Sequence, residues 1–362
     1  MHVPLPFGAM HVSHLDDADA PSNHDTRSDR RLTAVRGPTR LAALAALLIV
    51  TSALAAAFAA PDARAKMDLP SAKSIDIGIA DQKPDMFADP RFQALGIRYA
   101  RLAVGWDVLT NRRSAAELAA WLKDARATDV EPLISFMHSR GPNRRALPSP
   151  SRLRREFRRL RELYPWVTTY ATWNEANHCG EPLCRRPRTA AAYYRVLRRE
   201  CPTCTILAPE MLDLPGMTRW VRQFVRWLGF TPRLWGLHNY VEANRFRMLR
   251  LRELVRVTRG AEIWLTEVGG LVRRDNGSRT RIPEGAGHAG RVTRYIFDDL
   301  VPRNPQIARV YLYHWNSSSP KDTWDSALIS PGGRRRSAFL VLSRVLREGP
   351  RRLGGFRGAP AS

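Results

Sequence analysis

Two glutamates offer the clearest chemistry in this sequence. Glu175 lies in TTYATWNEANH (168–178), a stretch that alternates like a strand and then sets Asn174 and Glu175 side by side behind Trp173. Glu267 lies in EIWLTEVG (262–269), near the end of a second strand-like run. A carboxylate beside an amide at a strand end costs stability when it is buried without partners, so the placement asks for a reason. A facing pair of carboxylates supplies one: one attacks an acetal carbon while the other protonates the leaving oxygen and later activates water. The acid then needs surroundings that raise its pKa, and the nucleophile needs cationic or hydrogen-bonding neighbours that keep it ionised. Taken singly, Glu175 could equally be structural, capping the following helix while Asn174 makes a turn.

The elements that must position this pair can be read from the apolar pattern. Strand-like runs recur at 74–81, 98–106, 131–138, 167–175, 205–211, 234–240, 262–269 and 309–316. They are apolar throughout rather than alternating, as strands of a parallel sheet covered on both faces are. Helical patterns fill the gaps at 114–127, 151–164, 188–200, 216–228, 246–259, 286–301 and 334–347. The first opens with Ser114 and Glu117 at capping-box spacing. In the second, Leu153, Phe157, Leu160 and Tyr164 share one face.

Eight strands with intervening helices predict an α/β fold of the (β/α)8 TIM-barrel type, a single catalytic domain. The rival, a doubly wound open sheet, lacks its glycine-rich phosphate loop after the first strand, where the chain reads GIADQKP. A barrel puts function at the strand C-termini, and polar and aromatic residues gather there. They are Arg101 with Trp106, His138, Asn174 with Glu175, Glu210, His238 with Tyr240, Glu267, and His314 with Trp315. Glu175 then ends the fourth strand and Glu267 the seventh. Arg101, His238 and Tyr240 could hold Glu267 ionised, Asn174 could meet a sugar 2-hydroxyl, and Trp315 could present a ring to a sugar. Trp106 and Trp324 are further candidate platforms, and His138, His314 and Glu210 could be either core or cleft.

These motifs resemble those of clan A glycoside hydrolases, which include families 5, 10 and 39. WNEAN (173–177) follows a strand, LTEVG (265–269) ends the seventh, HNY (238–240) ends the sixth and Trp315 ends the eighth. The likeness spans roughly residues 74–345 and departs at Ala176, where the usual motif has Pro. It implies net retention at a β-linked saccharide, with Glu175 as acid/base, Glu267 as nucleophile, and Arg101, His138, Asn174, His238, Tyr240 and Trp315 binding substrate. It implies no cofactor. A transglycosylase using the same residues and a catalytically silent glycan-binding barrel are the alternatives.

Composition bounds the rest. The net charge is +24, from 58 Lys+Arg against 34 Asp+Glu. Arginine is scattered over nearly every segment with no nucleic-acid-binding motif, so the expectation is solvated helix faces and no nucleic-acid partner, with attraction to an anionic lipid, cell-wall polymer or acidic glycan as the alternative. Residues 1–66 read as a cytoplasmic tail followed by an export signal or membrane anchor. The apolar run 41–60 is long enough to span a bilayer, and Ala63-Arg64-Ala65 matches a signal-peptidase site. The barrel would occupy 67–349, outside the cytoplasmic membrane, and 350–362 would form a basic tail; the expectation is a monomer. Four cysteines, Cys179, Cys184, Cys201 and Cys204, fit export as two local disulfides, or alternatively a zinc knuckle. The carboxylates show no metal-ligand spacing.

Overall fold

Runs that are apolar on both faces become strands covered on both faces. The computed structural model describes residues 75–142, 144–275 and 281–348. The readings for 1–66, including the run 41–60, and for the tail 350–362 lie outside the described residues. Among those described, no helix is long and apolar enough to cross a membrane.

The strands are β1 (Asp76–Ala80), β2 (Tyr99–Gly105), β3 (Glu131–Met137), β4 (Thr169–Ala171), β5 (Thr205–Leu207), β6 (Met211–Leu212), β7 (Leu234–His238), β8 (Glu262–Val268), β9 (Arg273–Arg274), β10 (Ile307–Tyr313) and β11 (Trp324–Asp325). Nine form one sheet in the order β5-β4-β3-β2-β1-β10-β8-β7-β6, and β11 pairs with β9 apart from it. Every ladder of the large sheet is parallel. β5 pairs with β4, β6 with β7, and Ala208 N donates to Leu234 O at 3.0 Å. β5 and β6 are therefore two pieces of the fifth expected strand, and the ring closes through them as a (β/α)8 barrel.

The helices are α1 (Asp85–Ala88), α2 (Pro90–Ala94), α3 (Arg112–Ala127), α4 (Pro150–Leu163), α5 (Pro187–Glu200), α6 (Met217–Leu228), α7 (Tyr240–Ala243), α8 (Leu249–Val257), α9 (Ala286–Tyr295) and α10 (Ser337–Glu348). α4 buries Leu153, Phe157 and Leu160, the face its pattern predicts. The start of α3 corrects the expected capping box. Asn111 caps it by accepting from Ser114 N at 2.9 Å, and Glu117 turns outward to Arg113 and Arg140. An Asx side chain satisfies the same orphan amide as a serine would, so the helix begins earlier.

Inside the ring, Ala80, Leu133, Ala171, Leu207, Trp264 and Tyr311 form a small apolar plug. Beneath it Arg309 lies 3.7 Å from the Tyr99 ring centroid and 4.0 Å from that of Trp264, and pairs with Asp76. The floor of the barrel is thus closed, and the polar layer above the plug is where a site can form. The disulfides Cys179–Cys184 and Cys201–Cys204 both form, which leaves no thiol for a zinc knuckle.

β8 contains an irregularity that matters to that layer. Gly236 and His238 of β7 align with Trp264 and Glu267, so Leu237 alone on one strand faces Leu265 and Thr266 on the other. The register against β10 slips at the same point. Trp264 points into the barrel, and strict alternation would turn Glu267 outward to the helices. The extra residue rotates it back inside, a known use of bulges beside sites.

Candidate active site

Arg101 organises the polar layer. It sits mid-strand in β2, almost sealed from solvent, and spreads its guanidinium across three elements. Nη1 donates to Glu267 Oε1 at 2.5 Å, Nε and Nη2 to Glu210 at 2.8 and 2.6 Å, and Nη2 also to Asn174 Oδ1 at 2.8 Å. The planar fork suits this role because it offers several donors in one fixed geometry. Tyr240 at the start of α7 gives its hydroxyl to the other Glu267 oxygen at 3.1 Å. Both oxygens of Glu267 are therefore held by donors. Asn174 spends its oxygen on Arg101 and keeps its amide nitrogen for another partner.

Glu175 is placed differently. Its backbone is left-handed, φ 43°, a conformation a glutamate adopts only at a cost of about 1–3 kcal/mol. Hydrogen bonds on either side hold the turn: Asn174 N to Phe136 O, Ala176 N to Glu210 O and His178 N to Glu175 O. His238 Nδ1 lies 3.0 Å from Glu175 Oε1 and 3.8 Å from Glu267 Oε2, so one imidazole faces both carboxylates. His178 Nδ1 lies 3.6 Å from Glu175 Oε2.

Burial by itself would push His238 down. The charge of Glu267 and hydrogen bonds to Glu175 and Glu210 outweigh it and raise the imidazole to about 10. Burial would likewise push Glu175 up, but the His238 hydrogen bond and charge, with His178 and Arg101 behind them, hold it below the ordinary range. The acid role calls for a raised value, so the resting site differs from that expectation. The physical reason is that the proton resides on His238, one hydrogen bond away. Burial opposes the ionisation of Glu210 too, yet Arg101 and His238 hold it well below the carboxylate range.

The structure thus gathers Arg101, Asn174, Glu175, His238, Tyr240 and Glu267. Glu210 joins them as a fully buried carboxylate locked by Arg101 and Ser135, not as a cleft residue. Gly236 makes room for it, since a Cβ there would come within 2.6 Å of Glu210 Cγ. His138 stands one step away, with Nδ1 2.6 Å from Glu181 Oε1. Glu181 also accepts from Trp173 Nε1, next to Asn174.

Trp315 corrects an expectation. Its ring is fully buried outside the barrel, edge-on to Phe92 and Phe339, with Nε1 donating to Asp89, so neither face is open to a sugar. Val310, Leu312 and Trp315 all join the outer core, and Tyr311 and Tyr313 face inward. Trp106 is also buried, beneath Arg152. His314 is buried beside Asp81, and burial lowers its pKa. Half-exposed rings beside the site are Trp324, 4.9 Å from Tyr240 and nearly perpendicular to it, and Tyr313, 6.4 Å from Tyr240. Sequence reasoning gave no role to His178, Ser135 and Glu181. His178 stands three residues after Glu175, a visible signal; Glu181 reaches the site only because the Cys179–Cys184 loop folds back. Among the described residues, no group of His, Cys, Asp and Glu is arranged to hold a metal.

No protein family matches the sequence, and no curated protein matches it. Solved structures do match the fold. An endo-1,4-beta-xylanase from Caldicellulosiruptor owensensis aligns with TM-score 0.56 at 12% identity, over 75% of this chain and 97% of that one. A glucosidase from Croceicoccus marinus gives 0.56 and 12%, over 76% and 68%. A family 39 glycoside hydrolase from Bacteroides cellulosilyticus gives 0.50 and 13%, over 77% and 64%. The chain has the barrel fold of glycoside hydrolases.

Proposed function

We propose that this protein is a retaining glycoside hydrolase of clan A type acting on a β-linked saccharide. The observation that carries the reading is the unequal treatment of two glutamates at one barrel mouth. Glu267 has both oxygens held by donors, Arg101 and Tyr240, which favours an oriented, ionised nucleophile. Glu175 shares a hydrogen bond with a protonated histidine, which favours a proton-transfer role. Likeness in fold to a xylanase and a glucosidase supports sugar as the substrate class.

In this mechanism a Glu267 oxygen attacks the anomeric carbon and the bond to the leaving oxygen breaks. The proton passes from His238 Nδ1 to the ionised Glu175 and from Glu175 to that oxygen, so Glu175 ends the step as a carboxylate beside a neutral imidazole. Consuming the Glu267 charge in the covalent ester removes the main support for the imidazolium, so His238 releases its proton most readily at that moment. Glu175 then takes a proton from the incoming water, or from a sugar hydroxyl if the enzyme transglycosylates. A barrel that only bound glycan would gain nothing from a fully buried Arg101 shared by two carboxylates.

The test is Glu175→Ala assayed on aryl glycosides. Removing a general acid should cost about 10²–10⁴-fold on poor leaving groups and little on activated ones. Added azide should restore turnover of activated substrates and yield the β-glycosyl azide. Equal loss on all leaving groups, without azide rescue, would defeat the assignment.

A further inference from the structure

The side of the barrel away from the glutamates carries a second feature. A groove of about 530 Å³ runs between α6 and α8, lined by Arg222 and Arg226 from one helix and Arg256 and Arg259 from or just after the other. All four arginines are exposed, and among the described residues none has a carboxylate partner. The carboxylate lining the groove, Glu253, is already bound to Arg250 at 2.7 Å. Elsewhere on the helical layer arginines are often paired, as Arg154 and Arg158 are with Glu200. Thr218 and Thr231 add hydroxyls to the groove, and Val225 and Val257 complete its apolar lining. Arg226 and Arg256 lie in last helical turns, where they also complement the helix dipoles. Two dipole partners would not require the other two guanidiniums or a recess.

We propose that this groove binds one chain of an anionic polysaccharide, with guanidinium forks on its carboxylates and the threonines on its hydroxyls. A recess between adjacent helices fits a single strand and not a flat bilayer. It lacks the aromatic rings on which the bases of a single-stranded nucleic acid stack. α6 and α8 end next to the starts of β7 and β8, the opposite end of the barrel from Glu175 and Glu267, so a chain held there leaves the cleft free. Choosing a glycan among polyanions rests on the glycosidase reading; the charge argument does not.

Binding is measured by titration with polygalacturonate, using the full chain carrying Glu175→Gln so that hydrolysis plays no part. The groove variant is Arg222→Gln, Arg226→Gln, Arg256→Gln and Arg259→Gln together. Its control changes charge equally at unpaired surface positions: Arg112→Gln, Arg155→Gln, Arg198→Gln and Arg199→Gln. At about 0.15 M salt the groove variant should bind at least about tenfold more weakly, with a salt slope lower by about three, while the control changes less than about twofold. Equal weakening in both variants, or no binding by the parent chain, would overturn the proposal. So would tighter binding of single-stranded DNA or phosphatidylglycerol vesicles, lost in the groove variant. Turnover of a neutral aryl glycoside, measured with Glu175 intact, reports separately on the glycosidase reading.

Discussion

His238 turns Nδ1 toward Glu175, 3.0 Å from Oε1, with its imidazole sealed from solvent. This single contact sets the electrostatics of the mouth. A buried imidazole alone would be neutral, but three carboxylates around it keep the proton in place. The low pKa of Glu175 then reflects a charged neighbour, and the pair holds one transferable proton between them.

Stability should follow that proton. A histidine raised from 6.5 to about 10 stabilises the fold fully below 6.5, and this contribution is lost as pH rises through about 10. Glu175 and Glu210 are held low, so their contribution is present above the ordinary carboxylate range and lost as pH falls through their folded values. Melting temperatures across pH should be highest from about 5 to 6.5 and fall steadily between about 6.5 and 10. His238→Gln should flatten that decline. A parent curve unchanged up to about pH 11 would contradict the assignment.

Arg101 should resist even conservative replacement. A lysine cannot span Glu210, Glu267 and Asn174 together, and Glu210 would remain in full burial without its fork. Arg101→Lys should destabilise the protein by about 3–5 kcal/mol in urea unfolding, the usual cost of stranding a buried charge. Adding Glu210→Gln should recover part of that loss. Strict additivity of the two changes would show that the residues do not act as a unit.

Two tryptophans should separate stability from binding. Trp315→Ala should cost about 3–5 kcal/mol of stability by opening a cavity, with the KM of folded enzyme unchanged. Trp324→Ala should leave stability nearly intact and raise KM about three- to tenfold, the scale of one lost ring contact. The reverse pattern would return Trp315 to the cleft.

Much of this was legible from sequence because a barrel sorts its residues by position along each strand. Uniformly apolar runs marked the strands, and the polar groups after them marked the mouth. Trp315 was misread because strand parity cannot be followed through the end of β10 without knowing where the inward tyrosines fall. Glu267 lies at the mouth where its strand position puts it, although its inward aim depends on a one-residue bulge that no pattern announces. Ser135 and Glu210 gained meaning only when β3, β5 and β2 met around one guanidinium. Glu181 needed a disulfide loop closed in space.

The most direct measurement is covalent trapping. The full chain would be incubated with a panel of 2-deoxy-2-fluoro glycosides bearing good leaving groups, then digested and examined by peptide mass spectrometry. The account predicts one sugar per chain, on the peptide carrying Glu267, and none with Glu267→Gln. Label on Glu175 or Glu210, or steady turnover of aryl glycosides with Glu267 never labelled, would contradict it.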